Sequence, residues 1–121
     1  SSYSVKTPVT GLFISNSIRL GVLGWAKALS DEVAKNGITV NTVCPGSTRT
    51  ERIEQLISNN AKKFGKSSKE AEEAIATSIP MGRIGEPEEL AALITFLASE
   101  KSSYMTGLAI QVDGGATREY Y

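Results

Sequence analysis

Apolar positions along the chain switch between the helical and the strand period. From about Leu12 to Lys35, Ile18, Val22, Trp25, Leu29 and Val33 recur at spacings of three and four, which predicts one long amphipathic helix. Asn36-Gly37 stops it, with Gly37 suited to a left-handed position past the C-cap. Gly21 and Gly24 each cost about 1 kcal/mol against Ala in a helix. Two such residues three apart predict close approach by another backbone or helix. Ile38 to Cys44 is nearly continuous in apolar and β-branched residues, the pattern of a strand covered on both faces in a parallel sheet. Pro45-Gly46 ends it.

Thr50 is placed to N-cap a helix from Glu51 to about Lys63, with Ile53, Leu56 and Ile57 on its apolar side. Ser67-Ser68-Lys69-Glu70 is a capping-box pattern opening a helix to about Ser78, which Pro80 and Gly82 break. Pro87 suits the first position of a further helix. Glu88 and Glu89 fall in its first turn, and Leu90, Leu93, Ile94 and Leu97 form its core stripe. Leu108 to Val112 reads as a last strand, and Asp113-Gly114-Gly115 as a turn. The order helix, strand, helices, helix, strand is an α/β order built on crossovers.

With 121 residues the chain is one domain at most. Thirteen basic and thirteen acidic side chains balance, which argues against a nucleic-acid footprint or a membrane-surface patch. No apolar run reaches the roughly 18 residues of a membrane span, and no signal-peptide pattern opens the chain. The single cysteine, Cys44, excludes an intrachain disulfide, fits a cytoplasmic setting, and reads as a small buried hydrophobe at a strand end. There is no histidine, so acid–base chemistry falls to Ser, Tyr, Lys, Arg or carboxylates. Glu86, Glu88 and Glu89 read as a helix start, not a metal site. No glycine-rich phosphate loop occurs. Because the chain opens on Ser1, it is expected to be a fragment of a longer protein.

Two blocks narrow the picture: GITVNTVCPGSTRTE, Gly37 to Glu51, and GRIGEPEELAALITFLASEKSSYMTGLAIQVDGG, Gly82 to Gly115. Together they resemble the C-terminal half of a short-chain dehydrogenase/reductase of the 3-oxoacyl-carrier-protein reductase type, over essentially the whole chain. The resemblance implies an α/β fold: residues 1–121 as the C-terminal part of one doubly wound Rossmann domain, parallel strands with flanking helices, and 51–79 as a lid-like helical segment. The N-terminal half that grips the dinucleotide would lie outside this chain. The resemblance also implies NAD or NADP as cofactor, a small-molecule carbonyl or hydroxyl substrate, and a homo-oligomer, dimer or tetramer. The 121 residues alone are expected to be inactive.

In that family a catalytic helix carries Tyr-x-x-x-Lys, with a Ser about thirteen residues upstream. Ser polarises the carbonyl, the phenol moves the proton, and the ammonium lowers the phenol's pKa and binds ribose. With Gly24-Trp25 as register marks, the resemblance places Ser15 at the Tyr position, Arg19 at the Lys position and Ser2 on the upstream Ser. A serine hydroxyl is a far weaker acid than a phenol, whose pKa is about 10. Arg19 can still hold ribose hydroxyls with its fork. Tyr3 offers a phenol that no motif positions. The resemblance also assigns Pro45, Gly46, Thr48 and Thr50 to cofactor contact, alongside Arg19. The rival to an NAD(P)-dependent oxidoreductase is a non-catalytic dinucleotide-binding or structural family member that acts through subunit association.

Overall fold

The computed structural model describes residues 2–119; the ends of the 1–121 span lie outside the described residues. A short 3-10 turn, Tyr3–Val5, precedes α1, Phe13–Val33. After a second 3-10 turn, Ala34–Asn36, come β1, Thr42–Pro45, then α2, Glu51–Phe64, and α3, Ser68–Thr77. Helix α4, Pro87–Leu97, a 3-10 turn at Glu100–Ser102, and β2, Ala109–Val112, complete the order. Strands β1 and β2 pair in parallel, Thr42 against Ala109 through Pro45 against Val112. The α/β reading with parallel strands and crossovers is what the structure has.

Helix ends follow their local chemistry. Gly37 closes the α1 region at φ 74°, where a side chain would be strained. Ser67 accepts from the Glu70 N–H at 3.1 Å while Glu70 accepts from the Ser67 N–H at 2.8 Å, completing the expected capping box. Pro87 takes the first helical position of α4. Thr50 departs from expectation: it stands at the N-cap of α2 with extended backbone, but its side chain makes no capping hydrogen bond.

The two strands are shorter than the sequence pattern suggests. Residues 38–41 stand outside the ladder, although Gly107 N donates to Val40 O at 2.7 Å and Val40 N donates to Thr106 Oγ1 at 3.0 Å. Asn41 adds to this stitching: its Nδ2 donates to Met105 O at 2.8 Å, and its Oδ1 accepts the Leu108 N–H at 3.2 Å. Ile38 is exposed, so coverage on both faces is not realised there. Within β1, Thr42 and Cys44 are buried while Val43 and Pro45 are half-buried.

The apolar stripe of α1 is also turned differently. Ala26 and Ser30 are its buried residues, and Leu23 is half-buried, as are Leu29 and Val33 at the C-terminal end of the expected stripe. Ser15, Arg19, Leu23, Ala26 and Ser30 thus form the inward face, small and polar for most of its length. Ile18, Val22 and Trp25 point outward and are exposed, Trp25 by 64%. Beside them Gly21 and Gly24 face open space, so the close approach expected at these glycines is not made among the described residues. In α4 Leu90, Leu93 and Leu97 are half-buried, whereas Ile94 is exposed.

The tightest apolar packing lies away from the sheet. Ile57 and Ala61 of α2, Ala71 of α3, and Ile84 form a buried cluster, flanked by Ile53 and Ile75. Burying Ile57 and Ile84 contributes about 1.5–3 kcal/mol each, so α2 and α3 pack as a pair closed by the segment before α4.

Candidate functional site

Beyond the carboxyl end of β1 the chain makes a sharp turn at Pro45-Gly46. Gly46 N donates to Val112 O at 3.0 Å, which draws the turn against the end of β2. A side chain at Gly46 is excluded: its Cβ would lie 2.7 Å from both Cα and Cβ of Asp113. The following residues add a single parallel bridge, Thr48 to Gly85, reinforced by Arg49 N to Gly85 O at 2.8 Å and Gly85 N to Ser47 O at 3.0 Å. The turn is thereby fixed at both ends before α2 begins. A loop at the carboxyl end of a parallel strand is where open α/β sheets take ligands.

A cleft of about 440 Å³ opens at this turn. Its walls include Ser2, Ser15 and Arg19 on one side and Pro45, Gly46, Thr48 and Thr50 on the other. Every residue the sequence marks as catalytic or cofactor-binding lines this one cavity. Ser15 and Arg19 reach it from the first turns of α1, one helical turn apart. Arg19 Nε donates to Ser15 Oγ at 3.0 Å. Ser2 reaches it from the N-cap of the first 3-10 turn, where its Oγ accepts from the Ser4 N–H at 3.3 Å. Thr48 Oγ1 donates to Gly46 O at 3.3 Å.

The sequence missed the rest of the wall. Tyr3, Ser47, Arg52 and Leu56 also line the cleft, with Pro87 and Leu90 from the start of α4. Tyr3 and Ser47 line a second cleft too, of about 480 Å³, whose other walls are Asn60, Phe64 and Lys66 near the end of α2 and Ala71, Ala74, Ile75 and Ser78 at α3. The two cavities share Tyr3 and Ser47, which no local pattern could reveal because their walls bring together positions far apart in sequence.

Cys44 stands behind the turn with no exposed surface. Burial pushes its thiol up from the ordinary range, and the positive charge of Lys6 opposes this only in part. That is the environment of a packing residue, not a nucleophile. Asp113, at the other side of the turn, is pushed up by burial, but hydrogen bonds from Thr117, Gly115 and Ala116 outweigh this and hold its carboxyl below the usual range. Glu86 and Glu89 face arginines, Arg49 and Arg83 respectively. No helix among the described residues is long and apolar enough to cross a membrane.

Comparison with known proteins finds reductases and a short chain dehydrogenase similar to this chain. The family model for enoyl-(acyl carrier protein) reductase matches residues 1–117. The NADPH-dependent reductase BacG of Bacillus subtilis is 42% identical over 113 residues, which is 93% of this chain and 44% of that protein. The 3-oxoacyl-(acyl-carrier-protein) reductase FabG of Rickettsia conorii is 41% identical over 97 residues, covering 80% of this chain and 36% of that protein. Among solved structures, a short chain dehydrogenase family protein from Francisella tularensis superposes with a TM-score of 0.92 at 35% identity, covering 98% of this chain and 49% of that one. The chain spans half or less of the length of each of these proteins.

Proposed function

From the premise that this chain belongs to the short-chain dehydrogenase/reductase family, we propose that it forms the substrate-facing part of an NAD(P)-dependent carbonyl reductase resembling 3-oxoacyl-carrier-protein reductases. The observation that carries this reading is the single cleft that gathers Ser2, Ser15, Arg19, Pro45, Gly46, Thr48 and Thr50. Its donors suit a nicotinamide nucleoside. The Arg19 fork matches vicinal ribose hydroxyls. Thr48 and Thr50 offer hydroxyls to a carboxamide, Thr50 without a capping duty to compete. A bound nicotinamide dinucleotide would supply the hydride.

The chain's own residues handle orientation and the proton. Ser2 keeps its O–H for a carbonyl oxygen, because its capping contact uses the oxygen as acceptor. The Arg19 bond to Ser15 likewise leaves the Ser15 hydrogen to donate, and a cation on that oxygen favours its anionic form. Ser15 thus occupies the proton donor's place with a weaker acid than a phenol. Helices α2 and α3, within 51–79, act as the lid over the substrate side.

NADPH titration of the full-length protein, followed by fluorescence, tests this. Saturable micromolar binding that weakens on Arg19→Met is expected; no binding to the full-length protein would overturn the reading. The outward apolar face of α1 favours a second reading, a structural member that works through subunit association. In that case Arg19→Met leaves NADPH binding unchanged while changes at Trp25 disrupt assembly.

A further inference from the structure

Arg49 sits between Thr48 and Thr50, both on the first cleft, yet its own side chain turns to the helical pair. Its Nη1 meets Glu54 of α2 at 2.9 Å, its Nη2 meets Glu72 of α3 at 2.5 Å, and its Nε meets Glu86, the residue before α4, at 3.4 Å. One guanidinium therefore joins three helices, while its backbone N–H is fixed to Gly85. Isolated exposed ion pairs contribute little, but a planar fork that serves several carboxylates from a fixed backbone is a network. The three carboxylates also push the guanidinium further above its already high pKa, so its charge does not switch.

The position of this network links it to both cavities. Ser47, two residues before Arg49, lines both clefts, and Ala71, adjacent to Glu72, lines the second. We propose that Arg49 is a positioning residue: it holds α2 and α3 in register with the Pro45-Gly46 turn and so sets the width of the second cleft, where the substrate's body would lie. The assignment of that cleft to substrate rests on the function proposed above; the clasp itself does not. Arg49 itself lines neither cleft. It acts through Glu72 and Glu54 on the walls that do.

The α2–α3 connection carries its own reporters, because Lys62, Lys63 and Lys66 are trypsin sites at this turn, whereas Lys35 and Lys101 lie in other elements. In the full-length protein, Arg49→Ala and Glu72→Gln should speed cleavage at Lys62, Lys63 and Lys66 by about fivefold or more, with the rates at Lys35 and Lys101 unchanged. Arg49→Lys, a single ammonium facing three carboxylates, should restore only part of the protection. With acetoacetyl-CoA as probe, Arg49→Ala should raise KM by about tenfold while kcat and the Kd for NADPH change by less than about twofold. Unchanged cleavage at the α2–α3 turn, or equal acceleration at all sites, overturns the clasp. If Arg49→Ala does not fold, the near-isosteric Glu72→Gln and Glu54→Gln decide the same point. A protein that gains local cleavage but never binds NADPH keeps the clasp and loses the reductase reading. Local cleavage with KM unmoved overturns the positioning role.

Discussion

Arg19 donates through Nε to the hydroxyl oxygen of Ser15, 3.0 Å away and one turn earlier on α1. A tyrosine–lysine pair at this spacing would set an ammonium near a phenol; here a fixed, permanently charged fork holds a serine. On the proposed reductase reading, this keeps a cation beside the serine oxygen and puts a weaker acid in the proton donor's place.

Arg19→Met should weaken NADPH binding to the full-length protein by about tenfold or more, the scale of a lost charge-assisted hydrogen bond. Arg19→Lys should fall between, since an ammonium keeps the charge but not the fork. Titration of cofactor fluorescence measures both; identical affinities across the three proteins would remove Arg19 from the cofactor site.

The acid can be exchanged directly. Ser15 is half-buried on the wall of a cleft of about 440 Å³, which leaves room for a larger side chain. Ser15→Tyr combined with Arg19→Lys should raise turnover of acetoacetyl-CoA by about 100-fold, the usual gain from a competent general acid. If turnover is already fast and the double change lowers it, Ser15 is not a weakened donor. Tyr3→Phe then tests whether the phenol shared by the two clefts moves the proton.

How far the sequence reached depended on the range of the interaction. Capping at Ser67 and Glu70, Pro87 at a helix start and Gly37 past a helix end are decided within a few residues, and they were legible. The strand pattern of Ile38 to Cys44 overreached, because ladder formation needs a neighbour and the side chains of Asn41 and Thr106 take part of the hydrogen bonding there. The α1 stripe was legible as a helix but not as a face. Periodicity shows which residues share a side of a helix; it does not show which side is buried, and here Ala26 and Ser30 are. The site residues came from the resemblance, and their convergence on one cleft depends on a crossover. Arg49 escaped because its partners lie at remote positions, and Tyr3 was visible as a phenol but not as a wall of both clefts.

Gly46→Ala should destabilise the fold. Its Cβ would lie 2.7 Å from backbone and side-chain atoms of Asp113, so the turn or the end of β2 must move. Overpacking of this kind costs about 1–3 kcal/mol. Denaturant unfolding checks it, and a midpoint equal to the parent's would mean that the turn gives way without strain.

Acid should loosen the start of α4 through Glu89. Arg83 holds both carboxylate oxygens, Nη1 to Oε2 at 2.8 Å and Nη2 to Oε1 at 2.6 Å, and the Glu86 N–H donates to Oε2 at 2.8 Å. Arg83 first, and then this backbone bond, lower the Glu89 pKa from 4.5 to about 2. A carboxylate whose folded pKa is depressed binds fewer protons folded than unfolded. Its contribution is therefore complete above pH 4.5 and lost as pH falls towards about 2. Glu89→Gln should flatten this part of the stability profile between those limits. A Glu89→Gln profile parallel to the parent's would show that the pair carries none of the acid sensitivity.

The outward face of α1 makes the last expectation. Ile18, Val22 and Trp25 are exposed, with Gly21 and Gly24 open beside them, and Phe13 and Ile14 extend the apolar surface at the helix start. Contiguous apolar patches beyond a few hundred Å² are rare on monomers. Small residues next to a tryptophan let a second helix approach while the indole anchors it. Purified chain at micromolar concentration should therefore scatter light as a dimer or larger species, and Trp25→Lys should shift it towards monomer. Trp25 is the sole tryptophan, so its emission reports directly on the contact. It should move to longer wavelength on dilution as the indole meets water. A concentration-independent, red-shifted emission from a stable monomer would show that α1 keeps this face in solvent without a partner.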